Sequence, residues 1–176
     1  MKKLSLKELN RVSIDDFKAQ AKTPLVLVLD NVRSALNVGS AFRTADAFAL
    51  RHIHLCGITA QPPHREILKT AIGATESVAW SYHQQTPQAL ECLKEEGYEI
   101  VGVEQTDESI PLQTFKLKPA QPVALIFGNE VMGVEDKALA LADRCIEVPQ
   151  FGTKHSLNIS VCVGVVVWEL FRRMSL

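Results

Sequence analysis

Short apolar runs alternate with segments of helical periodicity along most of the chain. Six runs have the length of buried strands: LVLVLD at 25–30, HIHLC at 52–56, SVAWSY at 77–82, EIVGV at 99–103, VALIF at 123–127 and CIEV at 145–148. Segments with apolar residues at helical spacing lie at 38–48, 64–72, 87–96, 134–142 and 156–173. This alternation predicts an α/β domain with a largely parallel sheet and helices on both faces.

The residues before the first strand have a different character. Two Ser-x-x-acid patterns, which begin at Ser5 and Ser13, predict one or two short helices. Residues 1–22 carry six Lys or Arg against three acidic residues, which fits either a solvated appendage or a basic arm that faces a substrate. We therefore expect a short N-terminal helical extension over 1–22, with a fold that survives its removal, and a single domain over 23–176.

Composition narrows the class of protein. The chain has 176 residues, is 47% hydrophobic and has a formal net charge of -1, so any contact with nucleic acid needs a local basic patch. The first 22 residues hold no signal-peptide core, and the longest apolar run, 161–168, is too short to span a membrane. Four cysteines form no C-x-x-C pair and are expected to be reduced, buried thiols: Cys56, Cys92, Cys145 and Cys162. We expect a soluble cytoplasmic protein.

The first strand leads into a turn with more polar residues than a structural turn needs. The stretch LDNVRSALNVGSAFRTADAF spans 29–48. Asn37 is a candidate N-cap for the helix that follows, and Gly39 and Ser40 would let a ligand approach its first turn. Arg43 lies nearly two turns further along the same helix. This strand end is therefore a candidate ligand site.

Two later strands end in similar loops. The fifth predicted strand runs into Gly128-Asn129-Glu130 and then Gly133, a loop that suits backbone contacts with a ligand. The sixth runs through a Pro and Gly loop to Ser156, a candidate N-cap, and to Asn158, which has less structural reason to be there. Each loop alone is also explained by caps, turn glycines and one buried acid. A doubly wound fold places all three at one sheet edge, where such folds bind ligands.

Three sequence blocks resemble those of a known family. NVGSAFRTA at 37–45, FGNEVMGV at 127–134 and IEVPQFGTKHSLNISV at 146–161 resemble, in order and spacing, the motifs of the SpoU/TrmH family of RNA ribose 2′-O-methyltransferases. The likeness extends from about residue 24 to 173 and includes KTAIGA at 69–74. Val131 is a small departure, because members often have glycine or another residue there.

The resemblance implies a fold and a function. Members are parallel α/β domains with a deep C-terminal trefoil knot, the SPOUT fold, and bind S-adenosyl-L-methionine in a bent shape. They act as homodimers whose substrate site is completed across the interface, and the apolar last helix fits either that interface or core packing. The implied activity is methylation of a ribose 2′-hydroxyl in structured tRNA or rRNA. The alternative is a non-catalytic RNA-binding or assembly factor that retains the fold.

The resemblance also assigns candidate roles to residues. In the family the candidate proton acceptor corresponds to Arg43, but a guanidinium rarely gives up its proton, so we favour a charged Arg43 that stabilises the developing alkoxide. Glu130, Ser156 and Asn158 are expected to orient Asn37, Arg43 and the cofactor. The expected cofactor-binding residues are Phe127, Gly128, Asn129, Glu130, Gly133, Ile146, Val148, Pro149, Gly152, Ser156 and Leu157. The expected RNA-binding residues are Arg33, Asn37, Arg43, Lys154 and His155.

Two histidines raise the question of a metal. His52 and His54 are two apart on a predicted strand and therefore share a face. The sequence shows no third ligand for them, so we expect no metal site.

Overall fold

The computed structural model describes residues 1–5, 8–9, 11–154 and 156–175. Strands and helices largely alternate through these residues, as the sequence predicts. In chain order, the elements are α1 (Ile14–Ala19), β1 (Thr23–Asp30), α2 (Ala35–Ala47), β2 (Leu50–Cys56), α3 (Arg65–Ala71), α4 (Ala74–Ser77), β3 (Trp80–His83), α5 (Thr86–Glu95), β4 (Glu99–Val103), β5 (Ile110–Pro111), β6 (Val123–Phe127), α6 (Asp136–Leu139), β7 (Arg144–Glu147) and α7 (Ile159–Ser175). The exceptions to the alternation are the consecutive helices α3 and α4 and the consecutive strands β4, β5 and β6.

The seven strands form one sheet in the order β3-β2-β1-β6-β4-β7-β5, and each neighbouring pair is parallel. The predicted parallel α/β sheet is therefore confirmed. The chain first builds from β1 towards β3 on one side, and the later strands lie on the other side of β1. All carboxyl ends meet at one edge, and the direction of strand order changes between β1 and β6, where doubly wound folds bind ligands.

Two apolar cores cover the two faces of the sheet. On one face Leu27 and Leu125 pack with side chains of α2 and α7, among them Phe42 and Val166. On the other face Val26, Ile126 and their neighbours pack with side chains of α5 and α6. Because β1 and β6 are buried on both faces, their sequences are continuous apolar runs rather than alternating ones.

Several element bounds differ from the sequence-based prediction. The strand predicted at 77–82 is β3, which begins at Trp80, because Ser77 still belongs to the short helix α4. The helix predicted at 134–142 is α6, which has four residues. The two-residue strand β5 was not predicted, since its pairing with β7 leaves no periodic pattern in the sequence.

The N-terminal helix α1 is packed onto the domain. Ser13 caps it by accepting a hydrogen bond from the Asp16 backbone N–H at 3.1 Å, as the pattern predicts. The helix predicted after Ser5 falls partly outside the described residues. Phe17 is 6% exposed and joins the main core, and the Lys22 ammonium lies 3.3 Å from its ring centroid. Removing α1 would therefore expose a core contact, and survival of the fold without this segment stays a prediction.

The four cysteines are free, but they are not uniformly buried. Cys56 is buried and Cys92 is exposed, because Cys92 lies on the solvent side of α5. Among the described helices, none combines the length and the apolar character that crossing a lipid bilayer requires.

Candidate functional site

The loops after β1 and β6 are tied together at the carboxyl edge of the sheet. The Asn129 side chain donates to the Asn31 carbonyl at 2.8 Å, across 98 residues of sequence. The Asn129 Oδ1 atom also accepts the backbone N–H groups of Val131 at 2.9 Å and Met132 at 3.1 Å, which fixes the turn that follows. The expectation that these strand ends lie together is confirmed.

Two glycines let the β6 loop close on itself. Asn129 and Gly133 exchange backbone hydrogen bonds of 2.8 and 2.9 Å. A Cβ atom on Gly128 would lie 2.2 Å from the Gly133 carbonyl carbon, so no side chain fits there. Gly133 has φ +71°, and a Cβ there would lie 2.3 Å from the Glu104 Oε2 atom. The loop after β6 therefore packs its backbone so closely that a side chain at either glycine would not fit.

Glu130 joins this loop to the start of α2. Its carboxylate accepts the backbone N–H groups of Arg33 at 2.8 Å and Ser34 at 3.0 Å, and the Asn37 side-chain amide at 3.0 Å. Desolvation raises the pKa of Glu130, but the Arg33, Asn37 and Ser34 donors outweigh it and lower the pKa overall. Glu130 is therefore an anion held at the positive end of the α2 dipole, not a free base.

Ser34, and not Asn37, is the N-cap of α2. The Ser34 hydroxyl accepts the Asn37 N–H at 3.4 Å, and the helix begins at Ala35. The sequence-based assignment of Asn37 as N-cap is wrong because the helix starts one turn earlier, where Ser34 has the extended backbone that a cap requires. This frees the Asn37 side chain for the Glu130 carboxylate.

Asn158, in the loop between β7 and α7, connects this loop to Asn37 and so to Glu130. Its side-chain amide donates to the Asn37 Oδ1 atom at 3.4 Å, across 121 residues of sequence. Its own Oδ1 atom accepts the Ser160 N–H at 2.9 Å, and its carbonyl accepts the Cys162 N–H at 3.0 Å. Asn158 therefore caps α7, a role that the sequence-based prediction gave wrongly to Ser156, three residues before the helix.

A cavity of about 690 Å³ opens beside the hydrogen-bonded residues Glu130, Asn37 and Asn158. Of the expected cofactor-binding residues, those that line it are Phe127, Gly128, Asn129, Glu130, Gly133, Val148, Ser156 and Leu157. Ile146 is fully buried beneath the site. Pro149 lines a separate groove along α7 with Val161, Val165 and Trp168. Gly152 is exposed and lines neither.

The sequence-based prediction missed two acids at this edge. Asp30 is fully buried, and its carboxylate accepts the Glu135 N–H at 2.8 Å, the Asn31 amide at 2.9 Å and the Thr86 hydroxyl. Glu104, after β4, accepts the Val134 N–H at 3.0 Å. The available signal was an acid directly after an apolar strand, a position that parallel sheets place at the ligand edge.

Arg43 lies apart from the hydrogen-bonded residues Glu130, Asn37 and Asn158. It is exposed on α2, about 9 Å along the helix axis from Asn37. In the part of the chain that the structure describes, it makes no hydrogen bond or ion pair and does not line the cavity. The expectation that Glu130, Ser156 and Asn158 orient it therefore stays a prediction. Arg33 and Lys154 are also exposed, and His155 lies outside the described residues.

The two strand histidines meet a third from the next strand. The ring nitrogens of His54 and His83 are 3.0 Å apart, and His52 Nε2 lies 3.0 Å from the Ser81 hydroxyl. Burial, reinforced by the neighbouring His52 and His83, lowers the pKa of His54 to about 3, so the His54 imidazole is neutral. Burial also lowers the pKa of His52 and of His83. Ring nitrogens of His52, His54 and His83 are engaged in hydrogen bonds with one another or with Ser81. Within the described residues, no group of three or more His, Cys, Asp or Glu is arranged to hold a metal ion.

The fold and this site define a class of protein: a parallel α/β domain in which three strand-end loops, joined by side-chain amides and one carboxylate, surround a backbone-lined cavity. Residues 24–168 match the model of the SpoU rRNA Methylase family. The chain belongs to this family, and the resemblance seen in the three motifs is confirmed.

Relatives and solved structures agree with this membership. The 23S rRNA (guanosine-2'-O-)-methyltransferase RlmB of Vibrio parahaemolyticus is 32% identical over 167 residues, covering 95% of this chain and 66% of the relative. The tRNA (guanosine(18)-2'-O)-methyltransferase of Thermus thermophilus is 29% identical, covering 94% of this chain and 84% of the relative. An AdoMet-bound rRNA methyltransferase from Sinorhizobium meliloti has TM-score 0.80 at 27% identity, covering 93% of this chain and 62% of that one. The chain thus spans about two thirds of the RlmB relative.

Proposed function

We propose that this protein transfers a methyl group from S-adenosyl-L-methionine to a ribose 2′-hydroxyl of a structured RNA. The observation that carries the proposal is the group of Glu130, Asn37 and Asn158, which joins the three family motifs beside one cavity. Relatives that share the fold are named as guanosine 2′-O-methyltransferases of 23S rRNA and of tRNA. The substrate class is therefore rRNA or tRNA.

The cavity suits this cofactor because its walls are largely loop backbone. Gly128 and Gly133 keep side chains out of the β6 loop, and peptide groups can then contact a nucleoside closely. The lining residues from Phe127 to Gly133, with Val148, Ser156 and Leu157, would hold the cofactor. When bound, S-adenosyl-L-methionine supplies an electrophilic methyl group on a sulfonium. Rigid loops of this kind hold the reacting groups in line and exclude water.

Arg43 acts in this proposal on the site of a partner subunit. It has no partner within its own described chain, whereas α7 exposes Val161, Val165 and Trp168 along an apolar groove. A second copy that covers this groove forms a homodimer and completes the substrate site with its Arg43. The guanidinium stays charged, binds the nucleotide's phosphate and stabilises the alkoxide that develops as the 2′-hydroxyl attacks the methyl group and releases its proton to solvent. Arg33, Lys154 and His155 remain as further RNA contacts.

A knotted C-terminal segment is part of the same proposal. Val103 of β4 and Ile110 of β5 both pair with Ile146, one on each side of β7. The connection 104–109 therefore spans β7 at its carboxyl end, and the chain that leaves β7 must pass this connection before α7 begins. This arrangement supports a threaded segment such as the family's trefoil knot. We also infer a cytoplasmic location, since all four cysteines are free.

The proposal is tested by methyl transfer to RNA. The purified protein is incubated with radiolabelled S-adenosyl-L-methionine and with total RNA from a strain that lacks its gene, and the labelled nucleoside is identified by mass spectrometry. We expect a single 2′-O-methylated nucleoside, and a loss of label with Asn158→Ala. A protein that binds the RNA but neither S-adenosyl-L-methionine nor its demethylated product is instead a non-catalytic RNA-binding factor, which would contradict the proposal.

A further inference from the structure

Acidic residues line the cavity at four positions. Its carboxylate residues are Glu104, Glu130, Asp136 and Glu147, and the described residues around it include no Lys, Arg or His. The charges of the whole chain almost cancel, with 19 basic and 20 acidic residues. The excess of acidic residues is therefore a local property of this cavity. A concave site lined by charges of one sign favours an occupant of the opposite sign.

Two of these carboxylates come from the ends of neighbouring strands, because Glu104 directly follows β4 and Glu147 is the last residue of β7. Val103 pairs with Ile146 in the register of β4 and β7, and the Glu104 N–H donates to the Ile146 carbonyl at 3.0 Å. The next residues, Glu104 and Glu147, are therefore backbone neighbours on chain segments about 4.8 Å apart, and both line the cavity. Like charges opposite one another on adjacent strands are destabilising. A cation bound beside them would offset this repulsion.

The two carboxylates differ in what they already bind. Glu104 accepts the N–H groups of Val134 at 3.0 Å and Gln105 at 2.8 Å, so its position is fixed. Its charge reaches into the cavity: burial and, after it, the Glu104 charge raise the pKa of the lining residue Cys162 to about 11. Glu147 is half-buried, and among the described residues its carboxylate has no hydrogen bond or ion pair. Glu147 is therefore an acid that is available to a ligand.

We propose that Glu104 and Glu147 recognise the positive charge of the methyl donor, so that the site binds S-adenosyl-L-methionine more tightly than its demethylated product. This inference rests on the proposed function. Methyl transfer removes the sulfonium charge and leaves a neutral thioether, so the product loses the attraction that held the donor. The same two acids therefore favour donor binding before the reaction and product release after it.

The test measures binding of both ligands by calorimetry, at low salt, to the parent protein and to Glu147→Gln. We expect Glu147→Gln to weaken binding of S-adenosyl-L-methionine by about tenfold and to leave the affinity for the demethylated product within about twofold. The matched control is Glu135→Gln, which alters an exposed acid outside the cavity lining and should change neither affinity. Thermal unfolding of each variant confirms that it is folded.

The outcomes separate this inference from the proposed function. If Glu147→Gln weakens both ligands equally, or neither, the charge-recognition proposal is wrong, whatever the enzyme does to RNA. If the parent protein binds the donor more tightly than the product and Glu147→Gln removes that preference, the proposal holds. A parent protein that shows this preference but methylates no RNA contradicts the proposed function alone.

Discussion

The Asn37 side-chain amide donates to the Glu130 carboxylate at 3.0 Å, and this bond fixes the orientation of Asn37. A carboxylate only accepts, so the Asn37 nitrogen must face Glu130 and its oxygen must face Asn158. Asn158 is then obliged to donate with its nitrogen and to cap α7 with its oxygen. One anion therefore sets the direction of hydrogen bonding through all three motif loops.

Replacing Glu130 should lower stability in a pH-dependent way. Desolvation raises the pKa of Glu130, but the donors of Arg33, Asn37 and Ser34 lower it overall below the usual 4.5. The stabilisation is therefore complete above the unfolded pKa and is lost as the pH falls through the folded value. We expect Glu130→Gln to cost about 1 kcal/mol in urea unfolding near neutral pH, because the carboxylate is exposed.

The difference between the parent and Glu130→Gln should shrink as the pH falls below about 4.5. Glu135→Gln, which alters an exposed carboxylate of the next helix, is the control and should show no such trend. A difference that stays constant down to acid pH would contradict the assignment of Glu130 as a stabilised anion.

Changing Arg43 to Lys should preserve the fold and cofactor binding, because Arg43 is exposed and makes no bond within its described chain. A planar charged fork differs from a point charge, so we expect the single-turnover methylation rate at saturating RNA to fall about a hundredfold. Arg65→Lys, on α3, is the matched control. A rate within about threefold of the parent would refute the fork model, and recovery at high pH would favour the proton-acceptor role.

A mixed dimer tests whether Arg43 serves the partner subunit. Arg43→Ala and Asn158→Ala proteins are each expected to be inactive. If Arg43 acts across the interface, a dimer with one subunit of each kind keeps one intact site, and equal mixing should restore about a quarter of the parent activity. If the mixture stays inactive although mixed dimers form, Arg43 acts within its own chain.

A charge on the exposed face of α7 should prevent dimer formation. Trp168 is 50% exposed and Val165 is 40% exposed, and both line the groove next to Pro149. Because a buried interface disfavours an unpaired charge, we expect Trp168→Glu to sediment as a monomer at micromolar concentration. Gln88→Glu, at an exposed position of α5, should behave as the parent. A parent protein that is already monomeric would contradict the dimer itself.

Two truncations of the N-terminus should distinguish the effect of its basic residues on RNA binding from the effect of Phe17 on stability. Removal of 1–11 leaves α1 and Phe17 in place, so we expect unchanged unfolding and weaker RNA binding, because four of the six basic residues are lost. Removal of 1–20 also deletes Phe17, which should cost about 3 kcal/mol. Unchanged RNA affinity after removal of 1–11 would show that this segment is solvated surface.

The sequence by itself determined the architecture and the neighbourhood of the site. Continuous apolar runs at 25–30 and 123–127 indicated strands buried on both faces, and their alternation with helices implied a parallel sheet. Since parallel strands end at one edge, the polar residues after β1, β6 and β7 had to meet there. Local chemistry and one topological rule were sufficient for this.

Only the tertiary structure decided what each polar side chain binds. No local pattern indicated that Ser34 rather than Asn37 caps α2, because both residue types are good caps. The choice depends on Glu130, 93 residues further on, whose carboxylate accepts the Asn37 side-chain amide. The proximity of Glu104 and Glu147 follows from the register of β4 against β7, which pairs the preceding residues Val103 and Ile146. Such partners depend on distances between elements remote in sequence, and only packing of the whole chain fixes those distances.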